Sequence, residues 1–98
     1  MEHPAKKVAD LMGLLSNENR LYILCALLEH PMTVGELGQY VKQISAPALS
    51  QHLHKLKDAG LIAAEKEAQF IRYKICDPHL HKLIALLREE YCSGEDIF

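Results

Sequence analysis

The side chains best suited to chemistry gather in residues 45–59, SAPALSQHLHKLKDA. Ser50 and Gln51 are short hydrogen-bonding groups suited to base edges, and His54 lies one helical turn further on. Lys55 and Lys57, with Lys66 and Arg72 downstream, are cations suited to phosphate oxygens. Ser45 and Pro47 at the head of the segment, and Gln69 between the two downstream cations, complete the candidate DNA-contacting set. His52 and His54 have no positioned nucleophile or acid partner, so triad chemistry has no basis here. No CxxC, HExxH, GxSxG or GxGxxG occurs, which speaks against an enzyme and against a bound cofactor. The three cysteines, Cys25, Cys76 and Cys92, are odd in number and widely spaced, which excludes a secreted disulfide framework. By residue type alone Cys25 reads as a small buried hydrophobe and Cys92 as an exposed thiol. Cys76 reads as a core or strand-end thiol.

These residues need a scaffold, and 98 residues with 49% hydrophobic and 24% charged side chains suffice for one packed domain, 1–98. So short a chain leaves much surface uncovered, which makes oligomerisation a natural supplement. The net charge of −2 conceals a segregation. Residues 42–74 carry six basic against three acidic side chains, whereas both flanking segments are acidic. A basic middle in an acidic chain points to one face for a polyanion. The longest apolar run, Leu21 to Leu28, is far short of the ~20 residues that span a bilayer. Met1-Glu2-His3-Pro4 has no signal-peptide pattern, so the expected location is cytoplasmic with no membrane partner.

Periodicity supplies the elements. Val8, Leu11, Met12 and Leu15 form one helical stripe over 5–15. Asn17 or Asn19 can cap a second helix over 18–30 that carries Leu21, Leu24, Cys25, Leu27 and Leu28. Thr33-Val34-Gly35-Glu36 is a capping box opening a helix over 33–41. Ser45, with Pro47 in the first turn, opens another over 45–59 that Gly60 ends. Ile71, Tyr73 and Ile75 alternate with Arg72 and Lys74, the pattern of a half-buried strand. Residues 61–64 can pair with it around a tip at 65–69. Asp77-Pro78 starts a last helix over 78–92, and Ser93–Phe98 is expected to fray.

This order, α-α-α-α-β-β-α, is mainly α with a small β-hairpin, a winged helix-turn-helix. Residues 33–59 are its helix-turn-helix and 61–75 its wing. A major groove about 12 Å wide admits one helix, here 45–59, while 33–41 braces it. The stripes Val8/Leu11/Leu15 and Leu83/Leu87/Tyr91 exceed what one small core can cover, which predicts dimerisation through 5–15 and 78–92.

Several stretches carry a family resemblance: Asn19–Cys25 (NRLYILC), Thr33–Leu37 (TVGEL), Ser45–Leu53 (SAPALSQHL) and Glu67–Tyr73 (EAQFIRY). Together they resemble the ArsR–SmtB repressors, and among them the branch that includes HlyU, BigR, YgaV and NolR. The resemblance implies a homodimer that binds an inverted-repeat operator in double-stranded DNA and represses transcription. Ala46-Pro47 stands where relatives often have a polar pair, and Glu65 where they often have a basic wing residue. Two family contacts are therefore missing. Cys25 and Cys92 match the positions of a dithiol switch that responds, in that branch, to sulfane sulfur or oxidants. Metal-sensing relatives imply a dimer-interface zinc site, here represented by Asp77, His79 and Glu90, with Ser93 at the fourth position and His81 as a substitute donor. That donor set is weak, so no metal is expected. The remaining alternative is a winged-helix protein-interaction module that binds no DNA.

Overall fold

Helix α2 (Glu18–Leu27) is the hub, and its five consecutive residues from Ile23 to Leu27 are all buried. A helix buried nearly all round must sit between others, and α2 packs against four further elements. The computed structural model describes residues 3–92. Around α2 lie α1 (Pro4–Leu15), α3 (Val34–Tyr40), α5 (Pro78–Tyr91) and the strand β3 (Phe70–Ile75), while α4 (Ala46–Asp58) packs on α3 and on the strand β2 (Ile62–Glu67). The expected fraying of 93–98 falls outside the described residues. The core consists of Ile23, Leu24, Met32, Leu37, Leu49, Leu53, Leu56, Ile62, Leu80 and Ile84, each less than 2% exposed or 2% at most. Among the described residues no buried side chain is polar or charged. None of the described helices is long and apolar enough to cross a membrane.

Local chemistry explains the helix boundaries. Asn17 caps α2, its side-chain oxygen accepting from the Arg20 amide at 3.1 Å. The Arg20 guanidinium donates to the Leu14 carbonyl at 3.0 Å and ties the α1–α2 link. At α3 the capping box is complete: Glu36 N–H donates to Thr33 Oγ1 at 3.1 Å, and Thr33 N–H to Glu36 Oε1 at 2.9 Å. Helix α4 ends at Gly60, whose φ of +78° is a left-handed conformation natural to glycine. Gly60 N–H donates to the Lys57 carbonyl and Leu61 N–H to that of Leu56, the paired bonds of a Schellman stop.

Two expectations about the wing are corrected. The sheet has three strands, because Met32–Thr33 forms a short β1 that pairs antiparallel with β3 in the order β1-β3-β2. Two residues have no period to detect, and their partner lies far along the chain. The hairpin is also longer than its sequence suggests: β2 (Ile62–Glu67) and β3 leave only Ala68 and Gln69 as the turn. Cross-strand ion pairs between Glu65 and Lys74 and between Glu67 and Arg72 carry the ladder outward. Ile71, expected on the inner face, is 49% exposed, because this part of the wing projects beyond the helical layer. Tyr73 and Ile75, nearer the root, pack against the core.

Candidate nucleic-acid interface

Leu49, Leu53 and Leu56 pin α4 to the core, so 3.6-residue periodicity turns Pro47, Ser50, Gln51 and His54 to the opposite side. Lys55 and Lys57 flank that face on either side. Ser50, Gln51, His54, Lys55 and Asp58 line a single open groove along the helix. Every predicted contact residue is exposed (Ser45, Pro47, Ser50, Gln51, His54, Lys55, Lys57, Lys66 and Gln69) except Arg72, which is half-buried.

The electrostatics refine this set. Ser45 Oγ accepts from the Ala48 amide at 3.3 Å, so its oxygen caps α4 as expected. Arg72 is engaged within the protein: Nη1 bonds Glu36 Oε1 at 2.7 Å and Nε lies 3.4 Å from Glu67. Because Glu36 also closes the capping box, Arg72 ties the wing to the start of the helix-turn-helix. That contact pair was not visible in the sequence, where the two residues lie 36 apart. Hydrogen bonding from the Thr33 backbone and the charge of Arg72 hold the Glu36 carboxyl below the ordinary carboxylate range. Lys74 pairs with Glu65, which pushes its ammonium pKa upward. Asp58, which sequence reasoning overlooked, sits 3.1 Å from His54 Nε2. Its i,i+4 spacing from His54 was the available signal. Burial, Arg20 and Lys55 together hold the His52 pKa down.

The cysteines occupy three different environments. Cys25 is fully buried, Cys92 half-buried at the end of α5, and Cys76 exposed after β3 with Sγ 3.4 Å from the Gly60 carbonyl. Cys76 is thus a strand-end thiol and not a core one. Burial raises the Cys25 thiol pKa, the nearby Arg88 charge opposes that rise, and the Cys92 thiol lies close enough to add to it. Asp77 Oδ1 caps α5, accepting from the His79 amide at 2.9 Å and the Leu80 amide at 3.3 Å. Among the described residues no three His, Cys, Asp or Glu side chains converge on a common point. On α1 and α5 Val8, Met12, Leu86 and Tyr91 are exposed apolar residues, whereas Leu15 is buried and Leu11, Leu83 and Leu87 pack partly on the core.

A helix presented by a braced partner beside a three-stranded wing, with its polar side open, defines a winged helix-turn-helix protein. Residues 17–64 match the family model described as bacterial regulatory protein, arsR family. The chain is 40% identical over 94 residues to the transcriptional activator HlyU of Vibrio cholerae serotype O1, covering 96% of this chain and 86% of that protein. It is 34% identical over 95 residues to the biofilm growth-associated repressor of Xylella fastidiosa, covering 97% and 82%. Reduced HlyU from Vibrio cholerae superposes with a TM-score of 0.84 at 39% identity, over 91% of this chain and 93% of that one. The homodimeric winged helix-turn-helix DNA-binding domain of Mb0332 from Mycobacterium bovis superposes at 0.76 with 27% identity, over 88% and 79%. The chain belongs to the ArsR family of bacterial transcriptional regulators. The family and these relatives are regulators, not enzymes.

Proposed function

We propose that this protein is a homodimeric repressor that reads an inverted-repeat operator in duplex DNA and lets go when Cys25 and Cys92 are oxidised. The observation that carries the reading is the open polar face of α4, Ser50, Gln51 and His54 flanked by Lys55 and Lys57, opposite a leucine seam that fixes its orientation. Ser50 and Gln51 contact base edges, while Lys55, Lys57 and Lys66 contact phosphates. Ser45, Pro47 and Gln69 border that contact zone, and Arg72 holds the wing in place. Two-fold symmetry through α1 and α5 would set the two α4 helices one DNA turn apart, ~34–36 Å. The exposed Val8, Met12, Leu86 and Tyr91 support that pairing, as does the homodimeric relative. Repression is supported by the relative named a repressor.

The thiol response is supported by the placement of Cys25 and Cys92 within each other's electrostatic reach where α2 meets α5. A link between them would tilt a dimerisation helix and change the spacing of the two readers. Interface zinc has less support, since Asp77 is engaged as the α5 cap. The test is selection of binding duplexes from a random library, followed by fluorescence anisotropy with reduced and polysulfide-treated protein. Enrichment of an inverted repeat, nanomolar binding when reduced and release on treatment are expected. Failure to enrich any sequence would overturn the operator reading, and release that persists in Cys25→Ser and Cys92→Ser would overturn the thiol reading.

A further inference from the structure

The contact between α2 and α5 holds four chemically active side chains. Cys25 lies in the last turn of α2 with Glu29 four residues on, in the turn that follows it, and Arg88 lies in the last turn of α5 with Cys92, its C-cap, four residues on. The Arg88 guanidinium pairs with the Glu29 carboxylate across the helix interface, 59 residues away in sequence. Arg88 also lies near enough to the Cys25 thiol for its positive charge to work against the effect of burial there. Its side chain is 34% exposed and that of Glu29 46%, so the pair sits at the rim while Cys25 lies fully buried beneath. Cys92 is half-buried, with more access to solvent than Cys25. The two thiols of the proposed switch are therefore unequal.

We propose that Arg88, held by Glu29, is the positioning residue that makes Cys25 the resolving thiol of the switch, reacting second after Cys92. This rests on the dithiol reading above and assigns an order and a controlling residue to it. The reagent class is an organic disulfide or polysulfide. The Cys92 thiolate attacks one sulfur of the reagent, the S–S bond breaks, and the first thiolate leaves with the bonding electron pair. Cys25 then gives its proton to water, and Arg88 balances the resulting negative charge. The Cys25 thiolate attacks the Cys92 sulfur and expels the second thiolate. Two cysteines are oxidised by two electrons, and the reagent is reduced to two thiols if it is a disulfide, or to a thiol and a hydropersulfide or longer hydropolysulfide if it is a polysulfide. Burial alone would keep Cys25 protonated and inert, since only the thiolate attacks. The guanidinium is the nearby group that opposes this, and Glu29 moderates it by sharing the charge.

The test uses the full chain carrying Cys76→Ser, so that the exposed third thiol does not contribute, with 2,2′-dithiodipyridine as the probe. Each thiopyridone released is followed by absorbance. Two phases of one equivalent each are expected, the first from Cys92 and the second from ring closure by Cys25. In Cys25→Ser the mixed disulfide on Cys92 should persist, as read by intact mass. Arg88→Gln should leave the first phase unchanged, slow the second about ten-fold and move its pH midpoint upward, because less of the Cys25 thiol is then ionised. Glu29→Gln should speed the second phase, and Arg88→Lys should restore much of it by keeping the charge. Absence of any second equivalent in the Cys76→Ser protein would sink the dithiol reading itself. A normal second phase in Arg88→Gln, with its pH midpoint unmoved, would overturn the role of Arg88 and leave the dithiol reading standing. Equal slowing of both phases without a pH shift would mark Arg88 as a packing residue and overturn it too.

Discussion

Lys55, Lys57 and Lys66 should account for most of the salt dependence of DNA binding, and Lys74 for none. Among the described residues these three exposed lysines have no ion pair, whereas Lys74 is neutralised by Glu65 and Arg72 by Glu36 and Glu67. In a homodimer, three unpaired cations per subunit neutralise about six phosphates, which gives a log–log salt slope of about −5.4. Between 50 and 200 mM salt the affinity should then fall by about three orders of magnitude. Lys57→Gln removes one cation from each subunit, so its slope should flatten by about 1.8 and its loss over the same range shrink to about a hundred-fold. Lys74→Gln breaks only the pair within the wing and should leave the slope where it was. The assay is fluorescence anisotropy on one operator duplex across a salt series, with reduced protein. Equal flattening by Lys57→Gln and Lys74→Gln would refute the division of the cations of α4 and the wing into paired and available. A wild-type slope shallower than about −2 would refute the electrostatic account as a whole.

Backbone strain makes two turns respond in opposite directions. Gly60 has φ +78° with open space where a Cβ would stand, so Gly60→Ala should cost about 1 kcal/mol and lower Tm by roughly 4–8 °C. Ala68 has φ +56° in the wing turn, so Ala68→Gly should stabilise by roughly 0.5–1 kcal/mol. Thermal melts followed by circular dichroism check both, and shifts of the same sign would contradict the argument. His52 is held below its ordinary pKa, so the unfolded chain takes up the proton first and acidification through the ordinary histidine range should destabilise the fold. His52→Gln should flatten that part of a urea-denaturation profile against pH. Glu36 is likewise depressed, but as a carboxylate: its contribution is present above the ordinary carboxylate value and disappears as pH falls through its folded one. Glu36→Gln should therefore weaken the acid limb of stability, and an unchanged acid limb would show that its bonds to Thr33 and Arg72 are inconsequential. Leu56→Ala, at a fully buried position on the inner face of α4, should cost about 2–5 kcal/mol, as measured by urea denaturation.

The helix caps and stops, which act within one turn, were legible in the sequence, although the His54–Asp58 pair and the tight Ala68-Gln69 turn were missed. The Thr33–Glu36 capping box, the Ser45 and Asp77 caps and the Gly60 stop are bonds between residues a few positions apart, and each forms as its residue types dictate. The leucine seam of α4 likewise decided which polar side chains would face outward, because a helix buries one stripe and exposes the opposite one. Tertiary packing decided the remainder. Strand β1 exists only because Met32 and Thr33 come to lie beside Tyr73 and Arg72. Arg72 looked like a phosphate ligand by type and spacing, but Glu36 and Glu67 reach its guanidinium once the wing folds back. Cys25 and Glu29, like Arg88 and Cys92, are i,i+4 pairs anyone could mark, yet nothing local says that one pair meets the other. Short-range order follows from backbone geometry, whereas these meetings depend on how the helices pack around α2.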